Sequence, residues 1–219
     1  MNGLDFSVIW RALPQLIEGL GISLKLLFLG LCGGIAFGTL LAVGRLSSRA
    51  WLARLAAGYV TFFRSVPLIL IIFWFYFLVP VVIGRPVGPF ISVTIAFILF
   101  EAAFFCEIMR TGIRTVARGQ IAASLATGMT YRQTMQTIIL PQAFRAMVPV
   151  MLTQAIILFQ DTSLVYVVSL SDFMTSASRI ASREGRVVEV YLFCAAVYFV
   201  ICFVTSKGVS RLQRRLNRD

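Results

Sequence analysis

Histidine is absent from this chain, lysine occurs only as Lys25 and Lys207, and charged residues of all kinds make up 13% of the sequence. Each shortage excludes something. Without histidine the commonest metal ligand and general base is missing. A phosphate-cradling GxxxxGK[ST] loop is impossible, because the two lysines are followed by Leu26 and Gly208. Cysteine is sparse as well: Cys32, Cys106, Cys194 and Cys202 lie inside apolar runs with no C-x-x-C pairing. That fits small buried hydrophobes, not a disulfide frame or a metal site.

What is present is apolar. Of the 219 residues, 59% are hydrophobic, and the mean hydropathy is +0.89. A water-soluble globule of this composition would leave too much apolar surface uncovered. The net charge of +11 would suggest nucleic acid in a soluble protein. Here the basic residues cluster in short segments between apolar runs, which points to lipid headgroups and membrane topology, with no nucleic-acid partner.

Five stretches, roughly 20–44, 58–83, 90–112, 141–168 and 187–207, are long and apolar enough to cross a core that needs about 20 helical residues. No domain boundary or low-complexity linker interrupts them, so residues 1–219 read as one transmembrane domain. The stretch from Pro141 to Leu170 would be about 45 Å long as a straight helix, which predicts a tilt or a break near Asp161 to Ser163. Met1 to Glu18 carries Asp5, Arg11 and Glu18, unlike a cleavable signal, and is expected to belong to the mature structure. Phe6, Ile9, Trp10, Leu13, Leu16, Ile17 and Leu20 recur at helical spacing. They predict an amphipathic helix at the membrane interface; the alternative is a lead-in to the first span. The fold class is therefore an all-α membrane protein of five transmembrane helices with an N-terminal interfacial helix.

Orientation follows the Lys/Arg bias. Arg45, Arg49, Arg54 and Arg64 mark the first loop, Arg110, Arg114, Arg118, Arg132 and Arg145 the third, and Lys207, Arg211, Arg214, Arg215 and Arg218 the tail. These segments are expected in the cytoplasm, with the N-terminus outside and the C-terminus inside.

Between spans three and four, residues 119–145 are too polar and rich in small residues to span, yet too helix-prone for a slack loop. They predict a short helix, a glycine stop and a second helix. Ala122, Ala123, Leu125, Ala126 and Met129 give the first helix a narrow, small-faced surface that a partner's groove can receive. Gly128 can adopt the left-handed conformation that ends such a helix, and Pro141 is expected to break the second where the chain re-enters the membrane. Read without any relative, an arbitrary loop of this kind is more often a solvated hairpin that has no partner, and the glycine, proline and alanine-face geometry counts against that reading here.

The spacing from Gly128 to Ile138, Leu140 and Pro141, preceded by Gly119, Gln120 and the alanine pair, resembles the cytoplasmic coupling loop (119–141) of ABC-importer permeases. The resemblance extends along the chain. FRSVPL (63–68), EIMRTGI (107–113), LPQAFRAMVP (140–149) and QDTSLVYVVSLSDF (160–173) are similar to the polar amino acid branch of that family. FEAAFFCEI with FQDTSLVYV looks most like one of the two permeases of a bacterial glutamate/aspartate importer. The resemblance implies a type I importer fold in a bacterial inner membrane, with the loop acting as the coupling helix. It implies a second, homologous permease, two ATPase subunits that hold the ATP and magnesium, and a soluble amino-acid-binding protein. This chain would itself be no enzyme and bind no cofactor. The family's usual glutamate is replaced by Ala122, which removes any salt bridge that glutamate would make to the ATPase. Glutamine, histidine or arginine permeases of the same family are the alternative, and a proton-coupled secondary transporter a more distant one.

Charge and polarity inside the spans need reasons. Glu107 and Arg110, three apart on a helix, are expected to form a structural ion pair. Candidates for the solute path are Arg64, Ser65 and Pro67 at the start of span two, Glu101 in span three, and Gln160, Asp161, Thr162 and Ser163 in span four. Many relatives have lysine where this chain has Gln160. Asp161 has a plainer alternative, the N-cap of a helix beginning near Leu164. The aromatic band of Phe73, Trp74, Phe75, Tyr76 and Phe77 is expected to be a lipid-facing or packing patch.

Overall fold

The computed structural model describes residues 4–216, and these are almost entirely helical. Arg218, counted above in the tail, lies outside the described residues. In chain order the helices are α1 (Ser7–Arg45), α2 (Ala50–Ser65), α3 (Leu68–Ile83), α4 (Pro89–Arg114), α5 (Arg118–Ala126), α6 (Tyr131–Val168), α7 (Phe173–Glu184) and α8 (Val187–Leu216). Helices α1, α4, α6 and α8 are each long and apolar enough to cross a membrane, and α2 with α3 forms a bent pair that passes as a fifth span.

The expected interfacial helix and the first span turn out to be one helix. α1 runs 39 residues without a break, about 58 Å. The buried face of its N-terminal part is not the expected stripe: of that stripe Ile9 and Leu16 are buried, with Val8 and Ala12, against Phe173, Ala177 and Ile180 of α7 and Val190 and Cys194 of α8. Phe6, Trp10 and Ile17, also in the expected stripe, stay 44%, 76% and 60% exposed.

The second span is not a single rod. α2 starts at Ala50, earlier than expected, and α3 turns away from it by 103° at Val66 and Pro67. Val66 is extended (φ −110°, ψ 134°), because the ring of the following proline disfavours the helical region for its predecessor. Pro141 brings a second correction. The chain does not break there; α6 continues through it, preceded by one π-helical turn, Met135–Ile139. A π turn widens the helix just where proline's missing N–H and bulky ring would disturb an α turn. A similar turn, Trp74–Leu78, precedes Pro80 in α3, whereas Pro14 and Pro149 sit inside uninterrupted α-helix.

The core lies where α1, α3, α4 and the end of α6 meet, around Leu26, Ile71, Ile72, Phe97, Leu158 and Val165. α1 approaches α4 through glycines: a Cβ on Gly34 would lie 2.8 Å from Cβ of Glu101, and one on Gly38 2.8 Å from Cβ of Phe105. Such small-residue seams let helix backbones pack closely in lipid. On the opposite side of the bundle from α5, Asp172 caps α7, accepting bonds from the Met174 and Thr175 N–H groups at 3.1 and 2.9 Å. Burial pushes this carboxyl above the usual carboxylate range, and those N–H bonds oppose the shift.

Candidate functional site

Two features stand out, a projecting helix at one end of the bundle and a cleft leading into it. The projecting helix is α5. Gly119, Gln120, Ala122, Ala123, Leu125 and Ala126 are all exposed, with Leu125 at 45%, and only Ser124 is turned inward. The helix ends where the sequence predicts: Gly128 has φ +85°, and its N–H donates to Leu125 O at 3.0 Å. Thr130 then opens α6 with a reciprocal capping box, its hydroxyl accepting from the Gln133 N–H while Gln133 Oε1 accepts from the Thr130 N–H at 2.8 Å. Met129 and Ile138 are half-buried, Leu140 and Pro141 exposed.

What anchors α5 is a polar contact that the sequence reading missed. Ser124 and Thr134 share a hydroxyl–hydroxyl bond of 3.0 Å, with Thr134 fully buried. Small polar residues in a helix-prone loop give no outward sign of which pair will be buried. The bond is a dry, directional tie between the projecting helix and the start of α6.

The cleft has a volume of about 280 Å³ and lies between the end of α2, α4 and α6. Arg64, Phe104, Glu107, Thr111, Met147 and Gln154 are among its lining residues. Arg64 places its guanidinium 5.4 Å from the Phe104 ring centroid, within cation–π range. Ser65 and Pro67 are exposed beside it, but the Ser65 hydroxyl donates to Thr61 O at 2.7 Å, within its own helix.

Glu107 carries the pairing expected with Arg110, reinforced by Arg110 Nε at 3.1 Å from both carboxylate oxygens. It also accepts from Arg45 Nη1 at 2.5 Å. Arg45 was read as a topological charge only; sixty-two positions separate it from Glu107, and no local spacing signals such a pair. The result clamps the end of α1 to α4.

Glu101 is fully buried and does not line the cleft. Both its oxygens accept from Gln154 Nε2 at 3.2 Å, and it is Gln154 that reaches the cleft. Gln154 was overlooked, although an amide in mid-span was a visible signal. The polar cluster of span four is divided by the structure. Thr162 is fully buried, its hydroxyl donating to Phe159 O at 2.7 Å. Gln160 and Ser163 face a different cleft of about 410 Å³, beside Tyr191, Cys194 and Tyr198 of α8 and away from Arg64. Asp161 does not cap a helix with its side chain; the chain passes from α-helix into a 3-10 turn, Thr162–Val168, at this point. That change of helix type is where the long span was expected to tilt or break. In the aromatic band, Trp74 and Phe77 are 38% and 54% exposed. Among the described residues no group of three or more His, Cys, Asp or Glu is placed to hold a metal.

A multi-span helical bundle with a glycine-stopped helix standing clear at one end, and beside it a largely apolar cleft that holds Arg64, Glu107 and Gln154, has the form of a membrane transport component. The chain belongs to the family of binding-protein-dependent transport system inner membrane components, whose model matches residues 34–218. Along 98% of its length it is 51% identical to the glutamate/aspartate import permease protein GltK of Escherichia coli O6:H1, covering 99% of that protein. It is 34% identical to the probable glutamine ABC transporter permease protein GlnM of Bacillus subtilis over 99% of this chain and 100% of that one. A solved amino acid ABC transporter with histidines matches with a TM-score of 0.93 at 30% identity, over 98% of this chain and 100% of that chain. The MetNI methionine ABC transporter, at 22% identity and a TM-score of 0.74 over 92% of this chain, shares the fold. The resemblance read from the motifs holds over nearly the whole chain.

Proposed function

We propose that this chain is the membrane-spanning permease subunit of an ATP-driven importer for acidic amino acids, glutamate and aspartate, and supplies half of the translocation path. The observation that carries the solute is the 51% identity to a glutamate/aspartate import permease along 98% of the chain. The coupling role is supported by the exposed small-residue surface of α5, bounded by Gly128. In this reading the surface from Gly119 to Met129 seats in a groove of an ATPase subunit, and α6 from Ile138, Leu140 and Pro141 onward carries the movement into the bundle.

The remaining parts are those that membership of the family implies. A bundle this small cannot enclose a polar solute without exposing polar groups to lipid, so a second permease closes the path; the likeness to one of the two permeases of a glutamate/aspartate importer favours a homologous, non-identical partner. Two ATPase subunits hold the ATP and magnesium, and a soluble binding protein delivers the amino acid. The Lys/Arg bias places α5 and the C-terminus in the cytoplasm and the N-terminus outside. Carboxylates need cationic hosts, and Arg64 is the cleft's guanidinium; it makes no salt bridge among the described residues, although the Glu107 carboxylate shares the cleft with it. Gln154, held by Glu101, lines the same space.

The test is uptake of labelled glutamate by the intact complex in proteoliposomes, in competition with aspartate, glutamine and arginine. Aspartate should compete and arginine should not. Competition by glutamine or arginine as strong as by aspartate would overturn the solute, and uptake without any ATPase would point to a proton-coupled carrier using Glu101, Glu107 and Asp161.

A further inference from the structure

Behind α5 lies a cleft that the coupling role does not use. Its volume is about 530 Å³, and it is bounded by the end of α4, the start of α5 and the first turns of α6. The floor is aliphatic, with Val116 and Ile139 only 6% and 2% exposed and Ile113 and Ile121 beside them. Arg114, in the last turn of α4, and Arg118, in the first turn of α5, also line it. Both arginines are exposed, and neither has a hydrogen bond or ion pair among the described residues. Arg45 and Arg110, at the same end of α1 and α4, are by contrast committed to Glu107.

The position of this cleft decides what fits it. α4 carries Glu107, Arg110 and Arg114 beyond its apolar stretch, and α6 carries Arg145 before its own, so the cleft lies just outside the apolar core, on the side of the lipid headgroups. A small soluble anion would meet the guanidiniums and leave the aliphatic floor wet. A phospholipid uses both surfaces, its phosphate against the arginines and its glycerol and upper acyl carbons over the isoleucines. A zwitterionic lipid brings its own cation to its phosphate, whereas two uncommitted guanidiniums favour a headgroup of net negative charge. We propose that this cleft binds an anionic phospholipid of the leaflet facing α5. Its occupant touches α4, α5 and α6 together and so braces the projecting helix at its base. The proposal rests on the membrane reading of the chain and is independent of which solute is carried.

The experiment takes the intact complex, with the subunits that co-purify with it, from bilayers of mixed phosphatidylcholine and phosphatidylglycerol, and counts retained lipid by native mass spectrometry. The expected result is preferential retention of phosphatidylglycerol by the wild type and a loss of about 30-fold in its affinity for the R114Q/R118Q variant, five- to six-fold per arginine. Arg85→Gln, an exposed arginine in the loop before α4, should behave as wild type. Equal retention by R114Q/R118Q overturns the proposal. So does displacement of the lipid by inorganic phosphate alone, which marks a free-anion site, or loss of the ATPase subunits from the variant with lipid retained, which marks an acidic protein surface as the true occupant. Failure to take up acidic amino acids would overturn the solute reading and leave this measurement unaffected.

Discussion

Replacing Gly128 with valine perturbs the projecting loop through its backbone alone. Gly128 has φ +85°, and a Cβ built on it meets nothing within 4 Å. Within the chain, bulk at this position is therefore not the difficulty; handedness is, as the sequence suggests. Holding an L-residue in the left-handed region costs about 1–2 kcal/mol, enough to change the ratio of closed to opened turn by about 5- to 30-fold. The bonds at risk are Thr127 N to Ala123 O at 3.1 Å, Gly128 N to Leu125 O at 3.0 Å and Met129 N to Ser124 O at 3.3 Å, which together stop α5 and set its angle to α6. The assay is ATP hydrolysis by the reconstituted complex, stimulated by loaded binding protein and normalised to inserted protein. Gly128→Val should lower the stimulated rate several-fold with insertion unchanged. Gly128→Asn, which tolerates the left-handed region, should stay close to wild type. If asparagine proves as damaging as valine, handedness is not the property that matters and the reasoning fails.

Gly38→Val should drive α1 and α4 apart, since its Cβ would lie 2.9 Å from the Ala102 carbonyl oxygen; a cost of about 1–3 kcal/mol should appear as a lower unfolding midpoint in detergent. Gly21→Ala in the same helix, with open space around it, should leave the midpoint unchanged or raise it by up to about 1 kcal/mol of helix propensity. Glu101→Leu strands the buried Gln154 amide at a cost of about 1–3 kcal/mol, and adding Gln154→Leu should recover part of it; strict additivity in that double-mutant cycle would deny the pairing. Arg45→Ala should cost less than about 1 kcal/mol because Arg110 remains on Glu107, whereas Glu107→Ala, which leaves both arginines facing one another, should cost more in the same unfolding measurement.

What could be read from the sequence was whatever depends on near neighbours. Apolar runs gave the spans, Gly128 gave the stop of α5, and the three-residue interval from Glu107 to Arg110 gave their pairing. What could not be read depends on how distant segments turn toward each other. Gln154 meets Glu101 across fifty-three positions and Arg45 meets Glu107 across sixty-two, and neither distance leaves a pattern in composition. The polar quartet from Gln160 to Ser163 looked like one site because it is contiguous. Helical geometry sends neighbouring side chains to different faces, so Thr162 went into the core while Gln160 and Ser163 turned toward α8. Proline was legible as a disturbance but not in its outcome: at Pro67 the chain bends by 103°, and at Pro141 a π turn keeps the helix whole.

That last difference matters for how α5 can act on the cleft. A break at Pro141 would have left a flexible joint between the projecting helix and the bundle, and a push on α5 would have been spent in the joint. Instead α6 runs from its capping box at Thr130 through the π turn to Val168, 38 residues and about 57 Å of continuous helix. Ala146, Met147, Val150 and Gln154, which line the cleft, all stand on this one rod. At its near end the Ser124–Thr134 bond fixes α5 to it, and at its far end the change to a 3-10 turn at Thr162 hands it on to α7. A displacement of α5 by a partner therefore reaches Gln154 by rigid-body movement of a single helix, and no chain of rearranging side chains is needed between them. Because Gln154 is bonded to Glu101 on α4, the same movement must either carry α4 along or break that pair. In the proposed coupling, the Glu101–Gln154 contact is thus one polar point at which a pull on α5 would be resisted by the rest of the bundle.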